Sequence, residues 1–177
     1  MYHNEAQYEG ATNVWLTPKW VIDKLGPFDL DPCAADPRPF DIGQRVNLVE
    51  RDNGLRQHWP PEMFVWMNPP YGPHVARWMA KLVEHGNGIA LIFARMETRA
   101  IQPTVKKCSA VFFPDRRITF MKGEPPHDYG DCSSGAPSMF VAYGDEAVQR
   151  LRRLEDGMLF FSHPVPRKIE EQTLWAM

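Results

Sequence analysis

The sequence predicts an α/β fold, a sandwich with a largely parallel sheet and helices on both faces. Three observations carry that prediction. Short strand-like apolar runs alternate with helical ones along the chain. One run, "IALIFA" at 89–94, is apolar without interruption, as in a strand covered on both faces. Three runs also end in polar residues: Asp31-Pro32, Asp52, and Asn68-Pro69-Pro70-Tyr71. Parallel sheets place their ligand crevice at the carboxyl ends of strands, so the three would gather on one edge.

The elements follow in order. The polar stretch 1–14 predicts a flexible arm, 15–165 a single domain and 166–177 a tail. In "TPKWVIDKLG", Thr17 can cap a short helix, Pro18 suits its first position and Gly26 can end it. "FDLDP" alternates and stops at Pro32, a short strand. "ADPRPFDIG" is a loop, "RVNLVE" a second strand and "EMFVWM" a third, which runs into "NPPY". In "HVARWMAKLVEH", Val75, Trp78, Met79, Leu82 and Val83 recur at helical spacing, and "GNG" closes the helix. After "IALIFA", "ETRAIQPTVKK" reads as helical, with Pro103 expected to kink or split it. "AVFFP" and "SMFVAY" are strands, "DEAVQRLRRLED" is a helix with Asp145 as its cap, and "MLFFS" adds a last strand.

Composition bounds the class. A chain of 177 residues with 44% apolar content suits one domain with its own core. The formal net charge of -2 announces no polyanion partner, but charge is uneven. Between Arg95 and Lys122, seven Lys/Arg face two acids, either a basic face for phosphates or a solvated surface. Cys33, Cys108 and Cys132 are odd in number, far apart and without a Cys-x-x-Cys pair. Reduced thiols are expected, and no metal site. No run approaches membrane-spanning length and residues 1–10 lack a signal-peptide core, so a cytoplasmic protein is expected.

The stretch "NPPY" suggests its own chemistry. Prolines lack an N–H and fix φ, so their carbonyls stand at set angles without local donors. The Asn68 amide oxygen and the Pro69 carbonyl are both acceptors. Two acceptors converging on one point would hold an NH₂ group and leave its lone pair nucleophilic. Tyr71 can stack on a flat ring. The arrangement suits a planar amine such as adenine N6, cytosine N4 or a glutamine amide.

These residues resemble the Asp/Asn-Pro-Pro-Tyr/Phe/Trp motif of class I S-adenosylmethionine-dependent methyltransferases that modify exocyclic amines. More narrowly, the chain resembles the phage-type DNA N6-adenine methyltransferases from about Trp15 to about Tyr143. The carrying segments are "WLTP", "FDLDPCA", "DNGLRQHW", "WMNPPYG", "RRITF" and "GAPSMFVAYG". The resemblance implies a compact Rossmann-type methyltransferase fold, S-adenosylmethionine as cofactor and DNA as partner. It implies that Asn68 and the Pro69 carbonyl, with Pro70 completing the motif, hold the target amine, and that Tyr71 stacks on the base. Asp31, in "LDPCA" with Pro32, would face the methionine end of the cofactor, and Asp52 its adenine amine. Thr17 and Pro18 would lie beside the cofactor, and Asn68 would border it. Arg116, Arg117 and Lys122 would contact substrate, and the long segment 122–138 is the candidate for target recognition or a lid. Two departures stand out. No Gly-x-Gly follows Asp31, and the interval to Asn68 leaves room for one intervening strand. The acid that would hold the ribose has only Glu50 and Asp36 as candidates.

Plainer readings compete. Asn68 can cap the next helix, Asp31 can pair with a surface arginine, Asp52 can belong to the "DNG" turn, and Thr17 can be a helix cap alone. Arg116 and Arg117 can pair with acids, and Trp59 and Trp66 suit the core. The competing functions are methylation of another planar amine (RNA adenine, cytosine N4, protein glutamine), a degenerate DNA-binding module, and a subunit that acts only with a partner or a second copy.

Overall fold

The computed structural model describes residues 15–99, 101–122, 130–133 and 136–162, so the expected arm and tail lie outside it. The chain runs through α1 (Lys19–Leu25), β1 (Phe28–Asp31), β2 (Gly43–Asn47), a 3-10 turn (Glu50–Asp52), β3 (Val65–Met67), α2 (Val75–His85) and β4 (Gly88–Phe93). It continues with α3 (Gln102–Val105), β5 (Ala110–Pro114), β6 (Thr119–Lys122), β7 (Gly130–Ser133), β8 (Ser138–Tyr143), α4 (Asp145–Leu151) and β9 (Gly157–Phe161).

Seven of these strands form one sheet in the order β2-β1-β3-β4-β8-β5-β9. The four strands β2, β1, β3 and β4 are parallel, with the single intervening strand the spacing allowed. The other half is antiparallel: β8 lies between β4 and β5, and β9 pairs with β5. The cause is where the chain turns. β5 runs parallel to β4 and ends at the same edge, where the β6–β7 hairpin follows it. β8 starts from that edge, with Ser138 opposite Phe93, and must run back.

Helices cover both faces, which is why β4 is apolar throughout. Ile89 and Leu91 face one core, with Val21 and Leu25 of α1 and Ala147 and Leu151 of α4. Ala90 and Ile92 face the other, with Trp78, Met79 and Leu82 of α2 and Val105 of α3. Each large side chain of that α2 stripe contributes about 1.5–3 kcal/mol by leaving water. α2 stops at Gly86, whose φ of 75° is left-handed, as a glycine C-cap permits.

Several local expectations change. Thr17 caps nothing: Pro18 is the N-cap of α1, and Thr17 is turned to a tertiary hydrogen bond. Gly144, not Asp145, is the N-cap of α4, and Asp145 opens the helix without a side-chain cap bond. Among the described residues of 97–107, only Gln102–Val105 are helical. Pro103 sits in the first turn of the short α3, where its missing N–H breaks no bond. The second strand starts earlier than "RVNLVE" and gives way to the 3-10 turn. Within 122–138, β7 pairs with β6, so the expected loop contains a hairpin arm; 123–129 and 134–135 lie outside the described residues.

Candidate functional site

The parallel register sets the ends of β1, β2, β3 and β4 side by side, and each end carries a polar or aromatic group. β1 ends in Asp31 itself, β2 leads into the turn that holds Asp52, Asn68 follows β3, and Phe93 ends β4. The first two loops are zipped together. Leu48 N–H donates to the Asp31 carbonyl and Ala34 N–H to the Leu48 carbonyl, both at 2.8 Å. The Pro32 carbonyl also lies only 2.0 Å from where a Cβ on residue 54 would stand, so only a glycine fits at 54. Asp31-Pro32 and Asp52-Asn53-Gly54 therefore form one wall.

Asn68 is held from the chain's other end. Its amide Nδ2 donates to the Trp15 carbonyl at 2.6 Å and to Thr17 Oγ1 at 3.3 Å. Its Oδ1 accepts from the Tyr71 hydroxyl at 3.2 Å. The half-buried Tyr71 ring lies flat on Phe93, centroids 3.8 Å apart at 12°. Burial holds its hydroxyl above the usual phenol range, with the nearby Cys33 sulfur adding to the effect. Pro69 is buried and Pro70 exposed. Among the described residues nothing donates to the Pro69 carbonyl.

Asp31 is 4% exposed, and burial lifts its carboxyl to about 7. Hydrogen bonds from Cys33 and the charge of Arg38 pull the other way without prevailing. The Cys33 N–H donates to Asp31 Oδ1 at 3.1 Å. The Cys33 thiol is pushed well above its ordinary range, first by burial and then by Asp31, while the Asn68 main chain steadies its sulfur. Cys33 thus sits between the β1 acid and the β3 amide.

Asp52 has a divided role. Its Oδ2 accepts the Val49 N–H at 2.9 Å and so closes the 3-10 turn, consistent with the plainer turn reading. Its Oδ1 has no partner among the described residues. The loop that follows is pinned by Lys81 of α2, whose ammonium donates to the Gly54, Leu55 and Gln57 carbonyls and stands 4.8 Å from the Trp59 ring centroid. The two ribose candidates look outward: Asp36 pairs with Arg51 at 2.8 Å, and Glu50 is exposed.

The basic segment divides. Arg95 follows β4 and stands 5.8 Å from the Phe93 ring; exposed Arg116 and Arg117 follow β5, at the same edge. Lys106 and Lys107 precede β5 and belong to the opposite edge. Lys122 ends β6, and its side chain lies outside the described residues. β6 reaches the site through Leu16 and Met121, whose main chains exchange hydrogen bonds at 3.1 and 2.9 Å.

Thr17, Asp31, Pro32, Asp52, Asn68 and Tyr71 are thus gathered at one edge, with Pro18 next to Thr17. Four groups in contact with these residues or their loops were not singled out from sequence: the Trp15 carbonyl, Cys33, Phe93 and Lys81. Cys33 and Phe93 had a usable signal, since Cys33 follows β1 and Phe93 ends β4 at the edge that carries Asp31 and Asn68. A main-chain carbonyl and a helix lysine had none.

A comparison with protein-family models matches residues 6–145 to the family described as DNA N-6-adenine-methyltransferase (Dam). Comparisons with curated proteins and with solved structures returned no match.

Proposed function

The chain belongs to the DNA N-6-adenine-methyltransferase family, whose reaction is methylation of adenine N6 in DNA, and we propose that the strand-end cluster around Asn68 performs it. The observation that supports this most is the set of bonds to the Asn68 amide. Both Nδ2 hydrogens are taken by Trp15 and Thr17, so the end left for an incoming amine is an acceptor. A carbonyl oxygen has two lone pairs, so Oδ1 can keep Tyr71 and still receive one N6 hydrogen. The Pro69 carbonyl takes the other. Tyr71, backed by Phe93, gives the adenine ring a flat surface.

The methyl donor on this reading is S-adenosylmethionine, which supplies an electrophilic methyl on a sulfonium. The residues present fit it. Burial holds the Asp31 carboxyl at about 7 against the opposing pull of Arg38, and the cofactor's ammonium end would supply a further cation beside it. Asp52 Oδ1, an acceptor without a partner among the described residues, suits the cofactor's adenine amine. Thr17 and Pro18, buried next to Asn68, complete the wall. Catalysis is then mostly positioning: Asn68 and the Pro69 carbonyl would hold the target nitrogen toward the methyl donor. The proton would pass to solvent once nitrogen has gained the methyl group and become strongly acidic, so no strong base is required.

A base inside a duplex cannot reach this edge, so the adenine is flipped out of the stack. Arg116 and Arg117, which follow β5, and Lys122, which ends β6, hold phosphates, and 122–138 contacts the target strand. Cys33 and Cys108 are free thiols, as a reducing cytoplasm keeps them.

The test is product analysis. Unmethylated DNA is incubated with the protein and S-adenosylmethionine, digested to nucleosides and analysed by mass spectrometry. The expected product is N6-methyldeoxyadenosine. Methylated cytosine, or no methylated nucleoside despite measurable cofactor binding, contradicts the proposal.

A further inference from the structure

We infer that Thr17 is a positioning residue for the Asn68 amide, one that holds it in the orientation the Trp15 carbonyl selects, with Oδ1 toward the target amine. The inference rests on the adenine-clamp reading above and goes beyond it.

The two ends of an asparagine amide are nearly the same shape and opposite in hydrogen-bonding sense. With Oδ1 toward the target, the clamp accepts from an amine. With Nδ2 there, it presents donors to donors and repels the substrate. The amide needs something behind it that discriminates. In this chain that is the segment Trp15-Leu16-Thr17. The Trp15 carbonyl can only accept, so at 2.6 Å it selects Nδ2. The Thr17 hydroxyl takes the second Nδ2 hydrogen at 3.3 Å. The Tyr71 hydroxyl donates to the opposite end.

The segment is itself fixed. The Leu16–Met121 bridge ties it to β6 by two main-chain bonds, and Leu16, Thr17 and Pro18 are buried. Thr17 makes no helix-capping bond, although its place before Pro18 is a capping sequence. Its hydroxyl is used on Asn68 instead. The same threonine is an expected cofactor neighbour, and the two roles predict different kinetics.

The test uses Thr17→Val, which keeps the buried shape and removes the hydroxyl, and Thr17→Ser, which keeps the hydroxyl. Positioning predicts that Thr17→Val lowers the single-turnover methylation rate at saturating cofactor by about five- to tenfold, the worth of one neutral hydrogen bond. Cofactor Kd stays within twofold, and Thr17→Ser recovers most of the rate. The side-chain amide of Asn68 provides a second readout by ¹H–¹⁵N NMR, its proton pair assigned by its loss in Asn68→Ala. Thr17→Val is expected to shift that pair and speed its exchange. An unchanged rate, an unmoved amide pair, or a loss confined to cofactor Kd overturns the inference. If the wild-type protein forms no N6-methyldeoxyadenosine, the clamp reading fails, and the amide spectrum still decides whether Thr17 orients Asn68.

Discussion

Replacing Asp31 by asparagine should make the empty protein more stable at neutral pH while removing its grip on the cofactor. The carboxyl titrates near 3.8 in an unfolded chain and near 7 in the fold, because burial at 4% exposure disfavours its charge. The folded value is the higher one, so the native state binds the extra proton. Stability from this group is lost as pH rises from about 4 to 7 and stays lost above 7. The difference corresponds to about 4 kcal/mol at pH 8. Asparagine keeps an oxygen for the Cys33 N–H but adds a buried NH₂, which costs roughly 1–2 kcal/mol if unpaired. Asp31→Asn is therefore expected to gain about 2 kcal/mol over wild type at pH 8, and to lose about 1–2 kcal/mol near pH 4, where wild-type Asp31 is protonated and only the cost of the buried NH₂ remains. Urea unfolding of the cofactor-free protein across that range measures it. Calorimetric titration measures the other half. Binding the cofactor's cation needs ionised Asp31, so wild-type affinity should rise about tenfold from pH 6 to pH 8. Asp31→Asn should bind weakly at every pH. A variant that is less stable than wild type at pH 8, or one that keeps wild-type affinity with its pH dependence, refutes the reasoning.

Other perturbations separate the parts of the site. Lys81→Met keeps the stem over Trp59 and strips three carbonyls of their donor; it should cost about 1–2 kcal/mol in urea unfolding and weaken cofactor binding through the Asp52–Gly54 loop. A protein that loses neither does not use Lys81 as a pin. Arg116→Gln combined with Arg117→Gln should weaken DNA binding regardless of sequence. The slope of log affinity against log salt should become shallower by about 2 if each arginine holds a phosphate. An unchanged slope in a fluorescence-anisotropy titration places the phosphates elsewhere.

The parts of the fold legible in the sequence were those with strong, local patterns. "AVFFP" and "SMFVAY" mark β5 and β8 to the residue because burial on both faces leaves no polar interruption. α2 was legible from its apolar stripe and its glycine stop. The β6–β7 hairpin was not: "GDCS" has no alternation to read, and the pairing is made by the backbone. The antiparallel half of the sheet was hidden for the same reason, since direction depends on where a connection ends. Thr17 shows how a local rule loses. Thr-Pro is a good capping pair, but a nearby amide supplied a tertiary partner for the hydroxyl. The candidate site was readable where polar residues stop apolar strands, as at Asp31 and Asn68. It was not readable at Lys81, which from sequence looks like any solvent-facing helix position.

On this account the Asn68 amide holds the target amine, and its side chain adds little to cofactor affinity. Single-turnover methylation by Asn68→Ala, at saturating S-adenosylmethionine with cofactor Kd measured in parallel, tests it most directly. A rate lower by 10² or more with cofactor Kd within a few-fold of wild type is the predicted result. An undiminished rate, or a defect that saturating cofactor fully repairs, contradicts it.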